Sequence, residues 1–136
     1  MSGVSAHRRE RGAKARRTGR AGEIIAAFWL MAKGWRIVAM NLKTHGVEID
    51  LLARKGAVLA VVEVKARATL DAALAAVTPD QQVRLRRAGL ALAARPQSEG
   101  LSLRLDLVAL APGRLPRHIP DAWPDVAVWQ GAGSRS

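Results

Sequence analysis

Two apolar stretches separated by a short turn place the strongest constraint on the fold of this chain. Residues 47–54 and 58–65 are rich in valine, leucine and isoleucine, and Lys55-Gly56 lies in the turn between them. Apolar, β-branched runs on either side of a glycine-containing turn are typical of a β-hairpin. The sequence therefore predicts two adjacent antiparallel strands over these residues.

Two helices are predicted, one before the hairpin and one after it. The first covers residues 21–33, with Thr18 as its N-cap and Gly34 at its end. The second begins at Thr78-Pro79-Asp80-Gln81, where threonine is the N-cap, proline takes the first helical position and glutamine can close a capping box. It is expected to end before Pro96.

Two further strands flank these elements. Residues 35–39 are predicted to form a short strand, followed by a loop over residues 41–46. Residues 101–110 carry leucine at every second position from Leu101 to Leu107, so these leucines should face the core. The order of strands and helices indicates an α/β fold, with a mixed central sheet and helices packed on it.

The length and charge of the chain limit the kind of protein it can be. With 136 residues, 49% of them hydrophobic, it is long enough for one domain with its own core. Its net charge of +11 favours a polyanionic partner such as nucleic acid. The sequence contains no cysteine, which excludes disulfides, thiolate nucleophiles and cysteine-bound metals.

Segment boundaries and location follow from the same composition. Residues 1–17 are strongly basic and are expected to form a flexible arm, or simply a solubilising tail. Residues 18–123 are expected to form the folded domain, and residues 124–136 a peripheral tail. The apolar run at residues 24–32 is far shorter than the roughly 20 residues that cross a bilayer. We therefore expect a cytoplasmic protein with no membrane partner.

Acidic residues are scarce in this chain, and three of them lie in the predicted hairpin. Glu48 and Asp50 belong to its first strand and Glu63 to its second, each among apolar neighbours. A turn with an even number of residues would place Glu48, Asp50, Glu63 and Lys65 on one face of the sheet. In that register Asp50 and Glu63 are diagonal neighbours.

Carboxylates this close together repel one another unless they share a proton or bind a cation. Oxygen ligands favour Mg²⁺, Mn²⁺ or Ca²⁺ over Zn²⁺, and a divalent ion can clamp a phosphodiester and activate water. Asp50 and Glu63 are the expected ligands, and Glu48 ranks second because it can pair with an arginine instead. Lys65 can hold the attacking water or neutralise developing charge. The alternative is an ordinary exposed ion pair between Glu63 and Lys65.

These segments resemble the YraN-like family, a group of small bacterial proteins considered endonuclease-like. The resemblance covers residues 18–123 in order and rests on the motifs Gly19-Arg20-Ala21-Gly22-Glu23, Val47-Glu48-Ile49-Asp50-Leu51-Leu52-Ala53, Val62-Glu63-Val64-Lys65, Val77-Thr78-Pro79-Asp80-Gln81, Arg104-Leu105-Asp106-Leu107-Val108 and Arg117-His118-Ile119-Pro120-Asp121-Ala122-Trp123. One departure is the position of Gly46. The family usually reads Gly-Glu-Ile-Asp, whereas Val47 separates Gly46 from Glu48 here.

The resemblance implies a restriction-endonuclease-like core, which archaeal Holliday-junction resolvases and RecB-type nucleases share. In that core an aspartate and the glutamate of Glu-x-Lys bind Mg²⁺, and a glutamate of the first helix completes the site. By resemblance these residues are Asp50, Glu63 and Glu23, with Lys65 beside them. Gln81 takes the position of a family lysine or glutamine near the scissile phosphate. Because the related resolvases act as dimers, a homodimer is also an expectation of the resemblance.

Together these features predict a Mg²⁺-dependent endonuclease acting on DNA, including branched or single-stranded DNA, with Mn²⁺ as a substitute ion. The candidate phosphate contacts are arginines that could equally belong to a solvated surface: Arg16, Arg17, Arg20, Arg67, Arg84 and Arg87. Two alternatives stay open at this point. One is an inactive nucleic-acid-binding module on the same fold, and the other is a protein whose basic arm docks on an acidic partner protein.

Overall fold

The computed structural model describes residues 20–124, which form an α/β fold around one five-stranded mixed sheet. The strands follow the sequence order across the sheet, and β3–β4 is its parallel pair. The elements are α1 (residues 20–32), β1 (Arg36–Thr44), β2 (Val47–Lys55), β3 (Val58–Ala66), α2 (Leu70–Leu74), α3 (Pro79–Ala93), a 3₁₀ turn (Pro96–Ser98), β4 (Ser102–Leu110) and β5 (Arg117–Ile119). This architecture confirms the expected α/β class and is consistent with a restriction-endonuclease-like core.

Helix α1 covers one face of the sheet. Its buried Ala26 and Leu30 pack with Leu51 of β2 and Val108 of β4. The helix ends before Gly34, as predicted, and this glycine adopts a φ of +93°, a conformation that costs other residues more. The expected N-cap Thr18 and the basic arm at residues 1–17 lie outside the described residues, as does the tail beyond residue 124.

Helix α3 covers the opposite face and is capped as predicted. Thr78 Oγ1 accepts a hydrogen bond from the Gln81 N–H at 3.2 Å, and Gln81 Oε1 accepts one from the Thr78 N–H at 2.9 Å. The helix buries Leu85 and Leu92 in a second core cluster, which also contains Leu105 and Leu107, and Leu101 and Leu103 pack against it. Gly89 permits this close packing, since a Cβ atom there would lie 2.9 Å from Leu103 Cδ1.

Strand β1 is longer than predicted. The predicted loop over residues 41–46 is wrong, because β1 continues to Thr44 and pairs with β2 along its length. Asn41 remains in the strand with a φ of +52°, a conformation that asparagine tolerates better than most residues. The connection to β2 is reduced to His45 and Gly46, which both have positive φ, as a type I′ hairpin turn requires.

The β2–β3 hairpin forms, but its turn lies one residue later than predicted. Lys55 pairs with Val58, so the two turn residues are Gly56 and Ala57. The turn still has an even number of residues, so the parity of the prediction is kept. The register itself differs by two residues from the predicted one.

This register changes the relation between the two central carboxylates. Leu51 pairs with Val62, and continuing the ladder by one residue places Asp50 directly opposite Glu63 rather than diagonal to it. The regular alternation expected along β2 is wrong beside Asp50, because Ile49 and Leu52 pack in the same core cluster. The single regular face expected for the polar residues is therefore interrupted at Asp50.

One helix and one strand had no sequence prediction. Helix α2 lies in the alanine-rich stretch before α3 and starts at Thr69, whose side chain accepts a hydrogen bond from the Ala72 N–H at 3.1 Å. The crossover through α2 and α3 is what allows β3 and β4 to be parallel. Strand β5 lies in the proline-rich segment and pairs with β4. None of the helices within residues 20–124 is long and apolar enough to cross a membrane.

Candidate active site

The acidic residues singled out by the sequence meet where helix α1 begins its path over strands β2 and β3. Glu23 belongs to α1, Asp50 to β2 and Glu63 to β3. Asp50 lies near both glutamates, and each of them influences its pKa. Glu23 and Glu63 each keep 8% of their surface exposed. A chain of strongly positive charge thus holds three carboxylates close together in a largely buried place.

Asp50 is the central member of this cluster. Burial raises its pKa from 3.8 to about 7, and the neighbouring charge of Glu63 acts in the same direction. One donor opposes this shift, since the Val64 N–H donates to Asp50 Oδ2 at 2.8 Å. At neutral pH the side chain therefore holds a proton for a large part of the time unless a cation takes the proton's place.

Glu63 faces Asp50 across the two strands. Burial raises its pKa, and the ammonium group of Lys65, with Nζ 3.5 Å from Oε2, acts against that rise. Its other oxygen, Oε1, is buried and has no hydrogen-bond partner among the described residues. A buried carboxylate oxygen without a donor is energetically costly, so this atom is one that a bound cation would stabilise.

Glu23 is held by a residue that the sequence did not point to. Asn41 of β1 donates a hydrogen bond from Nδ2 to Glu23 Oε1. Burial raises the pKa of Glu23 in spite of this bond. In the sequence, the only feature that distinguishes Asn41 is that asparagine tolerates a positive φ, and this feature does not indicate a partner for Glu23. Its pairing with Glu23 depends on β1 extending further than the sequence indicated.

A cavity of about 200 Å³ opens beside Glu63 towards the start of helix α3. Glu48, Gln81 and Arg84 line this cavity together with Glu63. Gln81 uses Oε1 in the α3 capping box, which leaves its side-chain NH₂ group available to a ligand. Glu48 is exposed and takes no part in the contacts among Asp50, Glu63 and Glu23 beyond adding negative charge.

The other predicted phosphate contacts are dispersed. Arg20 is exposed at the start of the described part of α1, and Arg87 is exposed on α3. Arg67 donates to the carbonyl of its neighbour Ala66 at 2.8 Å and lines a different cavity, between α1 and the end of β4. Of this set, Arg84 shares a cavity with Glu63. Arg16 and Arg17 lie outside the described residues.

The donor atoms of the cluster suit a hard divalent cation, but their present arrangement does not yet form a metal site. All of its ligand atoms are carboxylate oxygens, which suit Mg²⁺ or Mn²⁺. Within residues 20–124, however, no three acidic or histidine side chains converge as a formed metal centre. Asn41 engages Glu23 and the Val64 N–H engages Asp50, so these side chains would have to rotate to surround an ion together with Glu63.

Comparison with known proteins places the chain in a family. The profile of the uncharacterised protein family UPF0102 matches residues 22–110. A UPF0102 protein of Caulobacter vibrioides is 60% identical over 117 residues, which cover 85% of this chain and 94% of the relative. Similar proteins of Caulobacter sp. (57% over 121 residues, 88% and 87%) and Paramagnetospirillum magneticum (50% over 114 residues, 80% and 88%) match over most of their lengths. The chain therefore belongs to the UPF0102 family.

Proposed function

We propose that this protein is a divalent-metal-dependent endonuclease that hydrolyses phosphodiester bonds in DNA. The observation that carries the proposal is the pair Asp50 and Glu63, which face each other across two strands with Lys65 beside them and a buried Glu63 oxygen without a donor. Carboxylates that repel one another can be stabilised by a divalent cation, and such an ion can activate water against a phosphodiester. The neighbouring lysine and the net charge of +11 favour a phosphate substrate.

Asp50 and Glu63 would hold the ion, Mg²⁺ or Mn²⁺, and Glu23 would join them. When bound, the ion supplies a Lewis acid for the phosphoryl oxygens and lowers the pKa of water. Lys65 can donate a hydrogen bond to a non-bridging phosphate oxygen or orient the attacking water. Gln81 and Arg84, which share a cavity with Glu63, can hold the adjacent phosphate. Water adds to phosphorus, one P–O ester bond breaks, and the leaving oxygen takes up a proton.

Cleavage assays on branched, duplex and single-stranded DNA test this function. We expect cleavage with Mg²⁺ or Mn²⁺ and none with EDTA. Asp50→Asn and Glu63→Gln should each lower the rate by about a hundredfold or more, the scale of a lost catalytic group. Mn²⁺ binding to the protein without DNA, measured by calorimetry, should weaken in the same variants. This measurement gives a readout besides activity.

Matched controls come from acidic residues on the surface. Asp71→Asn and Glu99→Gln change charge in the same way at exposed positions outside the cluster, and they should cut like the wild type. If Asp50→Asn and Glu63→Gln also cut like the wild type, the assignment of the site is wrong. Cleavage that persists in EDTA would contradict the role of the metal.

A nucleic-acid-binding module without catalysis is the second candidate, and one observation favours it. The three carboxylates are neighbours but do not converge as a formed metal centre within the described residues. This candidate predicts DNA binding with a steep loss of affinity at higher salt and no cation-dependent cleavage. Binding by Asp50→Asn would then equal or exceed that of the wild type, because one negative charge near the phosphates is removed.

A further inference from the structure

A second polar cluster lies at the opposite end of helix α1, and it is organised around Asp106 of β4. The Asp106 side chain is fully buried. Arg104 donates to it through Nε at 2.9 Å and Nη2 at 3.0 Å, and His118 Nε2 lies 2.8 Å from Oδ2. The Asp121 N–H donates at 3.0 Å. Burial alone would raise the pKa of Asp106, but the bonds from His118 and Arg104 outweigh it and the pKa is lowered.

Arg104 and His118 face a cavity of about 310 Å³, which we call the hairpin-end pocket and which Lys33, Trp35 and Lys55 also line. Trp35 is buried and holds both groups in place. The Arg104 guanidinium lies 5.4 Å from the centre of its ring, and the His118 ring packs edge-on at 5.9 Å. Asp106 on one side and Trp35 on the other therefore fix the orientation of Arg104 and His118.

Two ammonium groups stand beside this fixed pair. Lys55 donates to the Lys33 carbonyl oxygen at 2.7 Å, and Lys33 Nζ lies 5.0 Å from the centre of the Trp29 ring. No carboxylate lines the hairpin-end pocket within the described residues. Arg104 directs Nε and Nη2 to Asp106, and its Nη1 has no hydrogen-bond partner in the same part of the chain. Donors and positive charge thus remain available in the pocket.

We propose that the hairpin-end pocket binds a phosphate group. Three permanent cations line it and no carboxylate within residues 20–124 does, since Asp106 is buried behind Arg104 and His118 and Asp121 acts on Arg104 from outside the lining. A guanidinium with open N–H groups and two ammonium groups are the donors that phosphate oxygens take in proteins. Val58 lines the pocket at the start of β3, and Glu63 lies roughly 16 Å further along the strand at about 3.3 Å per residue. The proposal goes beyond the proposed function and holds whether or not the carboxylate cluster cleaves DNA.

A purely structural account explains part of this cluster. The Asp106 network ties β5 to β4, and Lys55 satisfies a carbonyl at the end of helix α1. It does not require the ammonium group of Lys33, nor a cavity lined by an arginine whose Nη1 has no hydrogen-bond partner within the described residues. The two accounts differ in one measurable respect, because only a phosphate site loses affinity for phosphate when the lysine charges are removed.

Titration of the full chain with inorganic phosphate in EDTA separates them, with sodium chloride keeping the ionic strength constant. We expect phosphate to raise the Tm of the wild type and to give a binding isotherm by calorimetry. Lys33→Gln/Lys55→Gln should weaken phosphate binding about tenfold or more, because two charged donors are lost and the Asp106 network is left intact. Lys43→Gln/Arg114→Gln removes the same charge at exposed positions elsewhere and should bind phosphate like the wild type.

The same experiment identifies the source of the phosphate. A short thymidine oligonucleotide with a 5′-phosphate should compete with inorganic phosphate more strongly than its 5′-hydroxyl form if the ligand is a terminal phosphate. Equal competition indicates a backbone phosphodiester, and no competition indicates a free phosphate compound.

Three results would overturn the proposal. They are an absence of phosphate binding by the wild type, an equal loss in both double variants, and full retention of binding in Lys33→Gln/Lys55→Gln. The last result would place the phosphate outside the hairpin-end pocket. Retention in Asp50→Asn separates this proposal from the proposed nuclease function.

Discussion

Replacement of Asp50 by asparagine tests whether the acidic cluster lowers the stability of the metal-free protein. The folded protein raises the pKa of Asp50 from 3.8 to about 7, so between these values it holds a proton that the unfolded chain has released. The free energy of unfolding therefore falls as the pH rises through this interval, and the protonated form contributes its full stability only below about pH 4. Asparagine cannot ionise, so the variant should not show this fall.

The size of the effect follows from the shift in pKa. Each pKa unit corresponds to about 1.4 kcal/mol, so a rise from 3.8 to about 7 corresponds to roughly 4 kcal/mol at pH 8. Water reaches part of the Asp50 side chain and screens its charge, which makes this an upper value. We expect Asp50→Asn to be at least about 2 kcal/mol more stable than the wild type at pH 8, with little difference at pH 4. Asparagine Oδ1 can still accept the hydrogen bond from the Val64 N–H.

Urea unfolding in EDTA at a series of pH values between 4 and 8.5 measures this difference. Glu99→Gln serves as the control, since Glu99 is exposed and outside the cluster, and its curve should follow that of the wild type. Adding Mn²⁺ at pH 8 should stabilise the wild type more than Asp50→Asn. If Asp50→Asn is less stable than the wild type at pH 8, or if the difference does not change with pH, the assigned rise in the pKa of Asp50 is wrong.

Three further substitutions test the framework around the sites by urea unfolding. Gly89→Ala should cost about 1 to 3 kcal/mol, because the added methyl group would lie 2.9 Å from Leu103 Cδ1 and 3.1 Å from Val61 Cγ2. Thr78→Ala should cost about 1 kcal/mol through loss of the α3 N-cap. Asp106→Asn should cost about 2 to 4 kcal/mol, since buried donors lose a charged partner. Because the folded pKa of Asp106 is lowered, this cost should be present at neutral pH and shrink as the pH falls through the acidic range.

The parts of the fold that the sequence predicted are those set by local chemistry. The α3 start at Thr78 satisfies its own backbone groups within one turn, and the alternating leucines of β4 meet a core on one side of the sheet. The position where β1 ends depends instead on its pairing with strand β2. Asn41 stays in the strand because its neighbours Met40 and Leu42 pair with β2, and residue type alone suggested a loop. Short β5 likewise exists through its pairing with β4.

The candidate site was predictable in its members but not in its geometry. Asp50 and Glu63 stood out because carboxylates in apolar strands need a partner. Their direct opposition depended on the hairpin turn falling at Gly56 and Ala57, a shift of one residue that no local signal distinguished from Lys55-Gly56. The hydrogen bond from Asn41 to Glu23 could not be foreseen, since it joins residues of two elements whose packing is set by the core beneath α1.

Asp50 and Asp106 show why sequence context alone cannot assign a role to a buried carboxylate. Both aspartates lie in apolar strands of one sheet, yet the pKa of one is raised and that of the other lowered. Asp106 receives bonds from Arg104, His118 and a backbone N–H, so its charge is satisfied in the folded state. Asp50 receives one backbone N–H and otherwise faces carboxylates. Burial is common to both, so the donors set the direction, and a carboxylate left without them is the one suited to bind a cation.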